Sequence, residues 1–568
     1  MTLRLSPSLR SSSMDELIRT TRSGEPIREL DLTNCMLLEP EVLPRHIGRC
    51  RRLQALRCVA CPLKPSALLG LLLERLPHLK EVEFSLAADT DVESEIRRVH
   101  YMASQKPGAL AFNLRRMYAE VSGHMNFKVL CALVRYCPKL DELRVHLARG
   151  IFINALLECN VVFQLCASME TFAFSSEVPA SVRLPPEPLE FVSCAAVCGN
   201  VCYQKSSNMW NCVLLRELVD GSVDPLLLAP QLVVVAVHHA EGTTAEWIRV
   251  ATLGHYWANV SQLCLLLLPA QPSDGFYATA GAAYRDSLRD FISFKLKQIV
   301  ELNLSAFHFG PDLDLTALLQ DRSLEHLQSF SVTPCGLRRP SALRRLAQNC
   351  PEFKELDVRF DRRGSFVRCA VCEGEFVLDL EDMLQMYDRA PVFHNVLARL
   401  TLTDVHDRIS LRFVETCPAV SVRLSDCPSL SHLGYPSLGQ LLARNSLLSC
   451  LVLRHDALPF GEACLLENIS RIASLQYLCL LSAVTLLDNV AEVSVLAFSD
   501  RLKPRIKCVH VHYRSWNSGI EKRITWVKQA GAPTGGVLVR DGPCFLYCST
   551  ATFIGLAKPL NRDFKEIM

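Results

Sequence analysis

A short hydrophobic phrase, roughly Leu-x-x-Leu-x-Leu, returns along almost the whole chain and restricts the possible folds more than any other feature. It reads IRELDL over Ile27–Leu32, LQALRC over Leu53–Cys58 and LKEVEF over Leu79–Phe84. Further copies lie at 140–145, 327–332, 353–358, 397–402, 475–480 and 506–511. The central apolar residue recurs about every 26 to 28 residues, as from Leu30 to Leu56, and such a period is typical of repeat proteins.

The phrase predicts a strand, and the intervals between phrases predict helices. Two apolar residues separated by one share a face of a strand, and a single unit is too small to bury that face. Stacked units bury it, because their strands pair in a parallel sheet and the return segments cover one side. The return segments at 65–77, 126–138 and 339–351 have helical apolar spacing and end at proline. The sequence therefore predicts an α/β solenoid shaped like a horseshoe, with a parallel inner sheet and outer helices. Four central leucines are expected to be fully buried anchors: Leu56, Leu302, Leu356 and Leu478.

Cysteines mark the borders of the phrases. A Cys-Pro-x-apolar junction appears four times, in YCPKLDEL from Tyr136, NCPEFKEL from Asn349, TCPAVSV from Thr416 and DCPSL from Asp426. Other cysteines stand just after predicted strands, at Cys35, Cys61 and Cys427. Together with the period, this pattern resembles the cysteine-containing type of leucine-rich repeat found in F-box proteins and their relatives. The resemblance covers nearly the whole chain, and it implies a protein-binding surface without catalytic or cofactor-binding residues.

The period also predicts how the chain is divided. We expect a disordered start at 1–12, a leucine-rich-repeat solenoid over 13–514 and a C-terminal cap over 515–568. No F-box motif is visible before the array. Three stretches break the period and are predicted to be irregular insertions, near 87–95, 175–228 and 361–392. Within the cap, an amphipathic helix is predicted around Ile520–Gln529, and two strands around an Asp-Gly turn are predicted from Val537 to Cys548.

Composition narrows the class of protein. The chain is 49% hydrophobic and 21% charged, with a formal net charge of +2, which gives no reason to expect nucleic acid or an anionic membrane as a partner. Its 25 cysteines occur without a visible signal peptide, so we expect reduced, mostly buried thiols in the cytoplasm, or alternatively the nucleus. The best candidate for a membrane span, Leu226–Val237, is too short and is broken by Pro230 and Gln231.

Two cysteine groups are candidates for a metal site. Cys194, Cys198, Cys202 and Cys212 lack the usual pair-plus-pair spacing, and no second pair follows the C-x-x-C of Cys369 and Cys372. The sequence also lacks G-x-S-x-G, G-x-x-x-x-G-K-[ST], G-x-G-x-x-G and H-E-x-x-H motifs. We therefore predict a protein that is not an enzyme and that has no cofactor or metal. A metal protein or an enzyme is the third hypothesis.

The residues beside the anchors are expected on the concave wall of the horseshoe. This wall is acidic early in the chain and basic late in it. The predicted partner-binding residues are Arg399, Arg423, Arg454, His510, His512, Glu81, Glu83 and Arg144. The late basic group is expected to attract an acidic segment of a protein partner, more strongly as the histidines protonate toward pH ~6. The alternative is an ordinary solvated strand face.

Two functional hypotheses follow. The first is a non-catalytic protein-interaction receptor, specifically the substrate-recognition component of an F-box-like ubiquitin ligase, with ligase subunits as additional partners. The alternative is a stand-alone cytosolic inhibitor or scaffold similar to the ribonuclease-inhibitor group.

Overall fold

The structure is a computed structural model. It describes residues 2–5, 14, 26–86, 92–105, 111–121, 124–147, 169–176, 200–204, 209–210, 212–214, 232–238, 262–268, 299–305, 324–337, 340–359, 396–405, 413–414, 417–427, 442–455, 458, 463–502, 504–519, 521–529 and 535–540. These residues form a mixed α/β structure with two sheets. By backbone proximity the chain divides into two compact units, Met1–Asn208 with Val527–Met568, and Met209–Trp526.

The first sheet has nine strands that follow one another in chain order. They are β1 (Thr2–Arg4), β2 (Glu29–Asp31), β3 (Ala55–Cys58), β4 (Glu81–Leu86), β5 (Arg116–Val121), β6 (Glu142–Leu147), β7 (Thr171–Ser176), β8 (Asn200–Gln204) and β9 (Met209–Trp210). Strands β1 to β7 pair in parallel, whereas β7 and β8 are antiparallel.

The second sheet has thirteen strands, also in chain order. They are β10 (Cys212–Leu214), β11 (Leu232–His238), β12 (Gln262–Leu268), β13 (Glu301–Leu304), β14 (Ser329–Val332), β15 (Glu355–Arg359), β16 (Leu397–Thr403), β17 (Ala419–Ser425), β18 (Cys450–Arg454), β19 (Tyr477–Leu486), β20 (Cys508–Ser515), β21 (Glu521–Lys528) and β22 (Gly536–Arg540). Pairing is parallel from β10 to β20.

Helices occupy many of the return segments. The described ones are α1 (Leu43–Arg49), α2 (Pro65–Glu74), α3 (Val92–Gln105), α4 (His124–Arg135), α5 (Pro340–Asn349), α6 (Ala463–Ser470) and α7 (Asp488–Leu502). Helices α2, α4 and α5 confirm the three return helices predicted from sequence. Proline supplies the first residue of α2 and α5, where its missing N–H leaves no intrahelical bond unmade.

The central apolar residues pair with one another in register. Leu302 lies opposite Phe330, and Phe330 lies opposite Leu356. Leu356 in turn lies opposite Leu400, so the 44-residue interval adds no strand between β15 and β16. The predicted anchors are buried, with exposed fractions of 0% for Leu56, 3% for Leu302, 1% for Leu356 and 0% for Leu478. This part of the prediction is confirmed.

Several phrases end in the same backbone turn. The fourth residue after the central apolar residue has a positive φ in four phrases: Asn34 (63°), Ala60 (52°), Asp404 (52°) and Asp426 (53°). A left-handed residue turns the chain out of the strand direction. In three of the four phrases the next residue is a buried cysteine. At this position the cysteine contacts the neighbouring strand: the Sγ of Cys427 lies 3.6 Å from the carbonyl oxygen of Leu402 on β16.

The described thiols behave as small buried side chains. The structure describes the side chains of thirteen cysteines, and none of these forms a disulfide within this part of the chain; twelve are buried and Cys131 is half-buried. Burial raises the pKa of Cys350 to about 12 and also raises the pKa of Cys58 and Cys61. A raised pKa keeps the thiol neutral, as a core position requires. Of the two cysteine groups discussed above, Cys202 and Cys212 lie in β8 and β10, and the remaining members lie outside the described residues.

Four predictions about organisation need correction. Residues 2–4 are not disordered, because they form β1 and pair with β2, whose edge offers unpaired backbone groups. Residues 92–95 were expected in an insertion but form the first turn of α3, where Glu93 and Glu95 suit the positive end of the helix dipole.

The third correction concerns the cap, where β21 replaces the helix predicted at 520–529. Its β-branched and aromatic residues favour a strand, and Ile524 and Trp526 are buried. The second strand of the predicted pair, after Arg540, lies outside the described residues.

The fourth correction concerns continuity. One parallel array was expected over 13–514, but the described strands form two sheets and β8 pairs antiparallel with β7. The interval from Ser176 to Asn200 lacks the phrase and contains Pro185, Pro186 and Pro188, which cannot donate a backbone hydrogen bond to a ladder. The predicted boundaries of the array and of its other insertions stay predictions. Among the described helices, none is long and apolar enough to cross a membrane.

Candidate functional site

The strand face opposite the anchors carries nearly all the predicted partner-binding residues. In a strand, the residues directly before and after the anchor share this face. We call the residue before the anchor the rim position and the residue after it the floor position. Rim residues such as Glu355 and Arg399 are partly exposed, whereas the floor residues Glu83, Asp357 and Arg423 are 3%, 4% and 8% exposed. The expectation that both positions face solvent is therefore wrong for most floor residues.

In the first sheet, charged residues on neighbouring strands neutralise one another. Arg57 on β3 lies between acidic residues of β2 and β4. Its Nε lies 3.1 Å from Oε1 of Glu83, and its Nη1 lies 3.8 Å from Oε2 of Glu29. The Glu83 side chain is almost fully buried, so an ion pair is what makes its charge tolerable there. The predicted partner-binding residues include Glu83 but not Arg57, although Arg57 occupies the same position in its phrase.

The other two predicted residues of the first sheet are also paired. Glu81 forms an ion pair with Arg116 on β5, and Arg144 forms one with Glu142 on the same strand. Arg116 is exposed at the rim position, and its register opposite Glu81 follows from the parallel pairing. The predicted acidic wall is therefore a mixed row of both signs.

In the second sheet, a buried carboxylate lies at the centre of the polar face. Burial raises the pKa of Asp357, although the Arg359 and Arg423 charges and a hydrogen bond from Ser331 act in the opposite direction. The Arg359 Nε lies 2.5 Å from Oδ2 of Asp357, and the Ser331 hydroxyl donates to the same oxygen at 3.4 Å. Desolvation thus outweighs the favourable partners at this position.

The predicted basic group is not a patch of uncompensated positive charge. Arg399 lies 3.9 Å from Glu355, and Arg454 lies 3.9 Å from Asp426. Arg423 is buried close enough to Asp357 to influence its pKa. The group also does not occupy consecutive strands, because β19 lies between β18 and the strand of the two histidines. The prediction of a shared positive field needs this correction. Glu355 lies on the strand next to that of Arg399, Asp426 follows the strand next to that of Arg454, and Asp357 lies two strands from Arg423.

The two histidines form a buried hydrogen-bonded pair. His510 is fully buried and His512 is 7% exposed, and their Nε2 atoms lie 2.9 Å apart. The His510 Nδ1 lies 2.6 Å from the hydroxyl of Thr525 on β21. One ring must donate to the other, which fixes their tautomers relative to each other. Because these rings bond to each other and to Thr525, they are not the solvent-facing histidines that the sequence reading expected. The strand that supplies Thr525 was predicted as a helix, so this partner was missed.

No metal site is found in the described part of the chain, where no three His, Cys, Asp or Glu side chains are grouped to hold an ion. What the strand faces offer is a row of partly exposed charged side chains on paired parallel strands. Comparison with known protein families and with curated proteins finds no match to this sequence.

Proposed function

We propose that this chain is a non-catalytic protein-interaction receptor that binds its partner through the rim positions of its strand faces. The observation that carries the proposal is the row of partly exposed charged residues in register on parallel strands. In the first sheet these residues are Glu29, Glu81, Arg116 and Glu142, with the buried Ala55 between Glu29 and Glu81. In the second sheet they are Glu301, Glu355 and Arg399, with Ser329 between Glu301 and Glu355. Neighbouring strands lie ~4.8 Å apart, which gives such a row a fixed charge pattern for a partner to match.

We further propose that the fold is a leucine-rich-repeat solenoid of the cysteine-containing type. Three features support it: the period of the phrase, the anchors that pair in register, and the left-handed turn followed by a buried cysteine. By this resemblance, the receptor would recognise substrates for an F-box-like ubiquitin ligase in the cytoplasm or nucleus. Such receptors bind two kinds of partner, a substrate and the ligase subunits.

A charge swap tests the rim directly. In the double variant Glu355→Lys/Arg399→Glu the local pair can re-form, so the fold is retained while the charge order facing the partner is inverted. Affinity purification with quantitative mass spectrometry should show substrate-type partners reduced at least about tenfold, as expected when like charges are juxtaposed. The matched control is Arg345→Glu, an exposed charge on α5, which should retain all partners.

The same purification separates the alternatives. Ligase subunits that remain bound to the swapped variant while substrates are lost would support the ubiquitin-ligase role. A single tight partner with no ligase subunits would favour the inhibitor or scaffold role. Equal retention of every partner by the swapped variant, with an unchanged melting temperature, would contradict binding at the rim.

A further inference from the structure

A second polar surface lies away from the strand faces, between α3 and α4. The two helices border an open groove of about 340 Å³. Its lining residues recur at i, i+3, i+4 and i+7 in both helices, from Glu93 to His100 and from Lys128 to Arg135. Each helix therefore turns one continuous face to the groove over two turns.

The lining is strongly basic. It carries three permanent cations, Arg97, Lys128 and Arg135, against one carboxylate, Glu93. The excess of two positive charges equals the formal net charge of +2 of the whole 568-residue chain. Arg97 and Glu93 are 3.5 Å apart, with side chains 81% and 56% exposed. An exposed pair of this kind is weak, so Arg97 can exchange it for a carboxylate of a partner.

The bottom of the groove is less polar than its borders. Ile96, Cys131 and Ala132 lie between the charged positions, and Ala132 is buried. At one wall, the His100 Nδ1 lies 2.7 Å from the Tyr136 hydroxyl. With Tyr136 as the donor, Nε2 of the neutral imidazole carries the proton and is a hydrogen-bond donor. An apolar bottom and cationic borders are complementary to an amphipathic helix that has one apolar side and acidic residues beside it.

We infer that this groove binds an acidic amphipathic helix of a partner protein. The facing stretches of α3 and α4 span about 11 Å, enough for two turns of such a helix. Its apolar side would cover Ile96 and Ala132, and its carboxylates would meet the three cations. This surface is independent of the rim positions, so a partner could be held here while the strand faces bind another.

The test is a titration by fluorescence anisotropy with the full chain. The probe is a labelled 14-residue peptide with leucines on one helical face and glutamates on the other. In the control peptide every glutamate is replaced with lysine. We expect the acidic peptide to bind and the lysine peptide not to bind. The variant Arg97→Glu/Lys128→Glu/Arg135→Glu should weaken the acidic peptide at least about tenfold.

Two control variants test whether peptide binding is specific to the groove. Arg45→Glu/Arg51→Glu/Arg52→Glu reverses three other exposed arginines and should bind the peptide like the wild type. The rim swap Glu355→Lys/Arg399→Glu should also bind it normally, so failure of the groove is distinguishable from failure of the proposed function. A loss of binding in either control, or equal binding of both peptides, would overturn the inference.

Cys131 gives a local readout of occupancy. It lines the groove and is half-buried, whereas the other twelve cysteines whose side chains are described are buried. The acidic peptide should slow maleimide labelling of Cys131, as followed by peptide-resolved mass spectrometry, and the lysine peptide should not. Vesicles with phosphatidylserine form the last arm. If they bind through the three cations and the acidic peptide does not, the groove is a membrane contact and the inference is wrong.

Discussion

The strand faces of β2–β4 and of β18–β20 both lie opposite buried anchors, but they carry different side chains. At the floor position, the first region carries the charged residues Asp31, Arg57 and Glu83, and the second carries Val452, Cys479 and His510. Charges in the first region are compensated across strands, while the only titratable ring among the three floor residues of the second is hydrogen-bonded to two neighbours. The repeat thus requires an apolar residue at the anchor but allows different residue types on the opposite face, provided that buried polar groups have hydrogen-bond or ion-pair partners.

This difference bears on where a partner can bind. Of the three rim residues beside the charged floor, Glu29 and Glu81 are charged and partly exposed, whereas Ala55 is buried. In β18–β20 the rim residues Cys450, Tyr477 and Cys508 are buried. A partner that binds through charged groups therefore finds more exposed charged residues on β2–β4 than on β18–β20.

The largest expected effect tests whether the anchors of the two regions are equivalent. Leu56→Ala and Leu478→Ala should each lower the free energy of unfolding by about 2–5 kcal/mol, because both remove a fully buried side chain. Chemical denaturation measures both, and Leu447→Ala, at a residue 52% exposed, is the control. If only one anchor variant were destabilised, the two phrases would not be equivalent units.

The next effect isolates the charged floor. Glu83→Gln leaves Arg57, whose side chain is 20% exposed, without its nearer carboxylate, and we expect a loss of about 1–3 kcal/mol. Glu93→Gln removes an exposed carboxylate and should change stability by no more than about 0.5 kcal/mol. Equal small losses in both variants would show that the Arg57–Glu83 pair contributes little.

A smaller effect is expected from the histidine pair. Thr525→Val preserves shape but removes the hydroxyl bonded to His510, which should cost about 0.5–1.5 kcal/mol. Thr485→Val, at an exposed position of β19, provides the comparison and should be nearly neutral. A destabilisation no larger than that of Thr485→Val would mean that His510 does not depend on this bond.

The last prediction concerns pH. Burial raises the pKa of Asp357 in the folded state, so the folded protein holds this proton more tightly than the unfolded chain. The resulting contribution to stability is complete below the ordinary pKa of aspartate and is lost as pH rises through the raised value. Unfolding of wild type and Asp357→Asn, measured from pH ~4 to ~7, should therefore show the variant gaining relative stability as pH rises. A constant difference across this range would contradict the raised pKa.

The sequence predicted what depends on local periodicity. Anchor burial and the return helices followed from apolar spacing, because one face of each element must leave water. Strand β5 was missed, since Arg115 and Arg116 precede Met117 and obscure the phrase. Helix α3 was missed as well, because its acidic first turn resembles a loop, and the basic groove was lost with it.

Predictions about the polar face failed for a different reason. Alternation in a strand tells which residues share a face, but exposure depends on what covers that face and on which charges come from neighbouring strands. Arg423 and His510 were assigned to solvent by alternation alone, and only the structure shows the Asp357 charge beside one and the Thr525 hydroxyl bonded to the other. Such long-range partners leave no periodic signal.

The direct pairing of Leu356 with Leu400 has a consequence for how this chain can change. Closing an interval of 44 residues rather than 26 costs only about 0.5 kcal/mol of chain entropy. A return segment can therefore gain or lose many residues while the strands on either side keep their register. In engineering terms, the interval after Arg359 is a natural insertion point, where an epitope tag or a small folded domain could be added without repacking either neighbouring strand.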